Sequence, residues 1–202
     1  ALNANHYFAS GWVYRPVYDH DATLRPELKL EVTARQPMLS PQSVTLDYLI
    51  DRFSGQQFGG AGTVLCVSPA ETLAEKILSF LRRYEQFKAG AMQQAWDETL
   101  VRHIYDVCLM HSQQPSLVDE ACTAFASLIA VDQQEFGSQF PAFLSDPKQV
   151  LQSALAAAGQ DSMIVAQYEN KLLPLVFGAQ KPSFGVAYAT FNNVAAKLIS
   201  VL

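Results

Sequence analysis

Residues 68–76 read Ser68-Pro69-Ala70-Glu71-Thr72-Leu73-Ala74-Glu75-Lys76, and the reading of this stretch divides the chain. Ser68 can accept a hydrogen bond from a free N–H of a first helical turn. Glu71, three residues on, can reach back to the Ser68 N–H, so the S-x-x-E pattern predicts a capping box. Pro69 stands at the first helical position, where a missing donor costs nothing. A helix therefore starts here and carries Lys76 two turns in. At the same point the hydrophobic period changes from that of strands to that of helices.

Upstream, residues 1–67 alternate with period two. "HYFASGWVYRP" is rich in aromatic and β-branched residues and leads into the turn-prone "DHDATLRPE". In "LKLEVTA", Leu28, Leu30 and Val32 share one face and Lys29, Glu31 and Thr33 the other, the pattern of a half-buried strand. "SVTLDYLIDRF" is ambiguous, and Leu46, Leu49 and Ile50 favour a short helix. "SGQQFGGAG" reads as a loop and "TVLCV" as a last strand.

Downstream, Leu73, Ile77 and Leu81 form an i, i+4, i+8 stripe backed by Phe80 and Tyr84. "AMQQAWDETLVRHIYDVCLMH" predicts a second helix with Leu100, Ile104 and Val107 inward. Pro115 and Ser116 are expected to cap "LVDEACTAFASLIAV". Asp146 and Pro147 should start "KQVLQSALAAA" as N-cap and N1. A helix through "SMIVAQYENKLLPLVF" and a last one from Ser183 to Leu202 complete the set. The predicted class is α+β: a partial mixed sheet over 1–67 and a helical bundle over 68–202.

Composition narrows the partners. The 202 residues are 50% hydrophobic and carry a net charge of −5, which argues against a general electrostatic grip on nucleic acid but not against a local basic patch. Cys66, Cys108 and Cys122 lack metal-type spacing and read as reduced, buried thiols of a cytoplasmic protein. No apolar run spans a bilayer. The opening "ALNANHYFAS" lacks the features of a signal peptide, and without an initiator methionine the chain is expected to be a fragment.

Taken singly, the polar residues have plain readings. His6, His20, His103 and His111 show no ligand spacing. "GGAGT" precedes a strand and lacks a following Lys-Ser/Thr, so it is a connection rather than a phosphate loop. Thr72, Lys76, Ser79 and Arg83 would form a solvated stripe, Arg102 and Asp106 an ordinary i, i+4 ion pair, and Glu31 an exposed strand carboxylate.

Taken in order, the same residues resemble the AbiEii/AbiGii toxin family, nucleotidyltransferase-like proteins of bacterial toxin–antitoxin and phage-defence systems. The likeness is carried by the strand "LKLEV", the strand "VLCVSP", the helix "ETLAEKILSFLRR" and above all "SPAETLAEK" followed by "RHIYD". Family members carry an L-A-E-K helix and then an R-D-x-Y-D-type motif. Lys76 matches the lysine, Asp106 the aspartate of the second motif, and Glu31 the strand acid that supplies the last carboxylate of a polymerase-β-like site. His103 stands where many members have aspartate. The G-[GS]-T/S motif with its D-x-D pair is not found, so the chain resembles the C-terminal two-thirds of such a protein.

The resemblance implies metal-dependent transfer of a nucleotide to an acceptor such as tRNA. Lys76 would hold the triphosphate, Asp106 would orient Lys76 or act as a base, and Glu31 would bind Mg²⁺. All three are expected to line one cleft between the sheet and the first two helices. A cognate antitoxin is the implied protein partner. The rival expectation is a non-catalytic helical module that binds an antitoxin or RNA.

Overall fold

The computed structural model describes residues 7–17, 26–55, 62–177 and 179–202, the side chains of Leu49, Ile50 and Arg52 excepted. The chain divides into two compact units, Ala1–Gln36 and Pro37–Leu202. The expected boundary at 67/68 falls inside the second unit, where strand gives way to helix.

The first unit is a two-stranded antiparallel ribbon of β1 (Tyr7–Val13) and β2 (Glu27–Thr33), in the register Ala9 opposite Glu31 and Trp12 opposite Leu28. Alternation puts Phe8, Trp12, Leu28, Leu30 and Val32 on one face, as the period-two pattern requires. These side chains remain exposed, so β2 is not the half-buried strand its alternation suggests. The turn-prone stretch over 19–25 lies outside the described residues.

The second unit opens with another antiparallel ribbon, β3 (Gln42–Leu46) and β4 (Gly62–Cys66), with Val44 opposite Val64. Between them lies the short helix α1 (Leu49–Ser54). "SVTLDYLIDRF" is therefore strand first and helix second: the β-branched "SVTL" finds a β-branched partner in "TVLC". α1 ends on Gly55, whose φ of 68° suits a residue without Cβ and lets its N–H reach the Asp51 carbonyl at 3.1 Å. Among the described residues the strands form two separate antiparallel pairs, not one mixed sheet. The glycine-rich residues 56–61 lie outside the described residues.

Helix α2 (Pro69–Lys88) begins where the sequence predicts, but its cap differs. The Ser68 hydroxyl accepts from the Ala70 N–H at 3.1 Å. Glu71 does not reach back to Ser68. Its carboxylate instead accepts from the Met38 and Leu39 N–H groups at 2.7 to 3.0 Å, so that a buried carboxylate pins the entry to β3 onto the helix start. A pair of unpartnered amides offers a carboxylate more than one already-capped turn does.

α2 is the central helix of the bundle. Leu73, Ile77 and Leu81 are buried as expected, and so are Leu78, Arg82 and Gln86 on other faces. It packs against α3 (Arg102–Gln113), α4 (Leu117–Phe136), α6 (Pro147–Ala158) and α8 (Phe184–Ser200). Consequently the stripe Thr72, Lys76, Ser79 and Arg83 is half-buried rather than solvated.

Other helix ends depart from expectation for identifiable reasons. The second helix does not start at Ala91: Asp97 accepts from the Thr99 N–H at 3.0 Å, caps a 3₁₀ turn over Glu98–Val101, and α3 follows. Ser116 and Ser183 make no side-chain cap bond, whereas Asp146 caps α6 through the Gln149 N–H at 2.9 Å. A short helix, α5 (Pro141–Ser145), precedes α6. The helix expected over 162–177 is broken. It is α7 (Ser162–Gln167), a π turn over Tyr168–Leu172 and a 3₁₀ turn over Leu173–Leu175, where Pro174 removes a donor. No helix of the described residues is long and apolar enough to cross a membrane.

Candidate functional site

The α2–α3 contact gathers the chemistry. Ile77, Leu81, Leu100, Ile104 and Val107 bury the apolar faces of the two helices and fix their rotation. That rotation brings Lys76 and Asp106 together: the Lys76 ammonium donates to Asp106 Oδ2 at 2.7 Å. Their side chains are 23% and 33% exposed, so the pair is partly withdrawn from solvent but still reachable. Asp106 thus pairs across the helices and not with Arg102 one turn away. Leu109, Met110 and Gln113 continue the α3 face and, with Lys76 and Asp106, line an open depression of about 370 Å³. An ammonium has three donors. With one given to Asp106, two remain for a ligand oxygen.

Further cations surround this pair. Arg83, two turns along α2, lies 3.8 Å from the Asp97 carboxylate that caps the turn before α3. Burial lowers the pKa of the Arg83 guanidinium from the usual arginine range, and Asp97 opposes that shift. For Asp97, burial by itself raises the carboxyl, but the bonds from the Thr99 hydroxyl and amide and the charge of Arg83 outweigh it and hold the group below its ordinary value. His103 shares this setting. Burial first, then the charges of Lys76 and Arg102, bring its pKa down from 6.5 to about 4. Arg83, Asp97 and His103 were not among the sequence candidates. The Asp-x-Thr cap spacing ahead of "LVRHIYD" was the available signal for Asp97.

Glu31 lies in the first unit, on β2. Its carboxylate accepts from the Tyr7 hydroxyl and lies 2.8 Å from the Lys29 ammonium. Among the described residues no three His, Cys, Asp or Glu side chains gather as a cation site would require. With an ammonium and a hydroxyl already on Glu31, these residues do not by themselves fit a divalent cation. The three thiols are free, and only Cys108 is buried.

Two small antiparallel sheets followed by C-terminal helices are consistent with the α+β fold of a nucleotidyltransferase-like protein. Residues 3–190 match the family model described as nucleotidyl transferase AbiEii toxin, type IV toxin–antitoxin system. The chain belongs to that family. Membership implies a nucleotidyltransferase-like toxin of a type IV toxin–antitoxin system, for which an antitoxin is the corresponding partner. No curated protein and no solved structure matches the chain.

Proposed function

We propose that the protein transfers a nucleotide from a nucleoside triphosphate to an acceptor such as tRNA, in the cytoplasm, and that a cognate antitoxin restrains it. The observation that carries this reading is the 2.7 Å contact between Lys76 and Asp106 on facing helices. Lys76, tethered at one of its three donors, directs the others at phosphate oxygens. The acceptor oxygen bonds to the α-phosphorus as pyrophosphate departs, and a charge held in place before the reaction stabilises the charge developing on the phosphates without reorganising as the nucleotidyl group moves. Asp106 holds the ammonium in that position or takes the proton of the acceptor hydroxyl. Mg²⁺ would enter with the triphosphate and would be held chiefly by phosphate and water oxygens, because Glu31 already carries the Lys29 ammonium and the Tyr7 hydroxyl.

The test is incubation of the full chain with each radiolabelled nucleoside triphosphate and pooled tRNA, with and without Mg²⁺. Labelled tRNA that disappears in Lys76→Ala supports the reading. Labelling unchanged in both Lys76→Ala and Asp106→Ala places the chemistry elsewhere. An absence of labelling, together with antitoxin binding, leaves the helical interaction module as the better account.

A further inference from the structure

A groove lies between α6 and α8, on residues that the Lys76 depression does not share. The two helices run antiparallel. Near the C-terminal end of α6 the Tyr188 hydroxyl donates to the Leu155 carbonyl at 2.5 Å, and a Cβ on Gly159 would fall 2.4 Å from the Tyr188 ring. Beyond this tight contact the helices leave an open cavity of about 380 Å³, which extends to Lys148 in the first turn of α6 and Ser200 at the end of α8. Its floor is apolar: Leu155 and Ile199 are buried, and Ala156 and Ala196 are exposed beside them.

The polar side chains at its rim are uncommitted. Lys148, Gln152 and Asn192 line the groove, and none of these side chains makes a hydrogen bond or ion pair among the described residues. Asn192 is the most informative. It stands in the middle of the 17-residue α8, where asparagine is a poor helix former and no helix end needs a cap. A residue that breaks a local rule without an intramolecular bond in return points to a role outside the fold. Lys148 is the one charged residue on the groove, so its lining is positive although the chain as a whole carries −5.

We infer that the α6–α8 groove docks a helix of a partner protein, one that presents small apolar side chains to the floor and a carboxylate to Lys148. Lys148, Gln152 and Ala156 repeat every four residues along α6, as do Asn192, Ala196 and Ser200 along α8, so the groove follows the helix axes for about 12 Å. Alanine on both walls lets a third backbone come close, and a helix laid there meets the floor through its i and i+3 or i+4 positions. Charge selects among occupants. A second copy paired isologously would bring this same acid-free surface against itself and leave Lys148 without a carboxylate. A small ligand would stay largely exposed in a groove open along its length, where ligand pockets enclose most of what they bind. The inference stands apart from nucleotide transfer.

A phage-displayed library of short constrained helical peptides, selected on the full chain, tests it. The enriched peptides should share an Asp or Glu one to two turns from a pair of small apolar residues. Affinity of one such synthetic peptide, read by fluorescence anisotropy, should fall at least about tenfold on Lys148→Glu, the scale of one charge-assisted hydrogen bond, and on Ala156→Trp, which fills the groove. Replacing the peptide's acid by lysine should restore affinity for Lys148→Glu and abolish it for the wild type. The wild-type chain needs no variant to fold for the third readout: the side-chain amide signals of Gln152 and Asn192 should move on adding the peptide. A selection that yields no helical binder, binders without a shared acid, amide signals unmoved at saturation, or undiminished affinity in folded Lys148→Glu overturns the inference. Self-association of the chain that Ala156→Trp abolishes gives the groove to a second copy and overturns it as well.

Discussion

Arg82 and Asp132 join α2 to α4 through a contact of 2.9 Å between side chains that are each only 7% exposed. The guanidinium also lies 3.9 Å from the centre of the Phe136 ring, so both its edge and its face are engaged. Arg82 precedes Arg83 in the chain. Locking Arg82 toward α4 therefore sets the rotation of α2 that turns Arg83 and Lys76 toward α3. A buried ion pair contributes little net stability compared with apolar residues of the same size, but it strongly disfavours other rotations of the helix.

Removing one partner should be much worse than removing both. Asp132→Ala is expected to cost about 3–5 kcal/mol, because it strands a buried guanidinium. Arg82→Met combined with Asp132→Leu should recover most of that loss, with a midpoint close to wild type in urea. A double variant as unstable as Asp132→Ala would show that the pair itself, not the avoidance of a lone charge, holds α2 to α4.

The start of α2 offers a ranking that sequence alone reverses. As a capping box, Ser68 would matter most and Glu71 less. In the structure Ser68 satisfies one amide of its own helix, while Glu71 satisfies two amides more than thirty residues upstream. Ser68→Ala should cost about 1 kcal/mol. Glu71→Ala should cost about 2 kcal/mol or more, since it unpairs the Met38 and Leu39 N–H groups from a charged acceptor. Chemical denaturation of both variants checks the order. An equal or smaller loss for Glu71→Ala would mean that solvent satisfies the two amides without it.

This contrast shows what was legible beforehand. Local signals were read correctly where both partners lie within one turn: the starts at Ser68 and Asp146, the inward stripe of Leu73, Ile77 and Leu81. They failed where a partner is distant or a local competitor intervenes. Glu71 chooses amides that are remote in sequence. Apolar spacing over 91–101 looked helical, but Asp97 bonds Thr99 and delays the helix. The half-burial of Lys76 and Arg83 follows from α3 lying alongside α2, which no single-helix periodicity encodes. The Lys76–Asp106 contact was anticipated from the family resemblance and not from spacing, because the two residues are on different elements.

His103 makes stability depend on pH with a definite sign. Its folded value of about 4 lies below the ordinary 6.5, so the unfolded chain binds the extra proton. The contribution is fully present above about 6.5 and is lost as pH falls toward 4. Burial and the charges of Lys76, Arg102 and Arg83 keep the imidazole neutral, against the opposing charge of Asp106. Unfolding free energies of wild type and His103→Gln, compared in urea between pH 7 and pH 4.5, isolate the effect. The wild-type chain should lose more stability than the variant across that range, and parallel curves would exclude the shift.

Asp106 can be assigned one of its two roles by a substitution that separates them. Asp106→Asn keeps an oxygen that can accept from the Lys76 ammonium, so the lysine can stay in place, but the amide cannot take a proton. If Asp106 only orients Lys76, nucleotide transfer by Asp106→Asn should fall by about tenfold or less, as one weakened hydrogen bond predicts. If Asp106 is the base for the acceptor hydroxyl, the loss should reach about 10²–10⁴-fold in the maximal rate, with the apparent affinity for the triphosphate little changed. Lys76→Ala should instead weaken the affinity for the triphosphate as well as the rate, since it removes the cation that meets the phosphates. Both substitutions lie at a partly exposed pair and should cost only about 1 kcal/mol of stability, a shift of roughly 2–4 °C for a chain of this size. The geometry favours the orienting role, because Asp106 Oδ2 is already occupied at 2.7 Å by the ammonium it would have to release in order to accept a proton there. We therefore expect the smaller loss for Asp106→Asn and the larger one for Lys76→Ala, measured side by side in the transfer assay. The opposite order, in folded proteins, would make Asp106 the base.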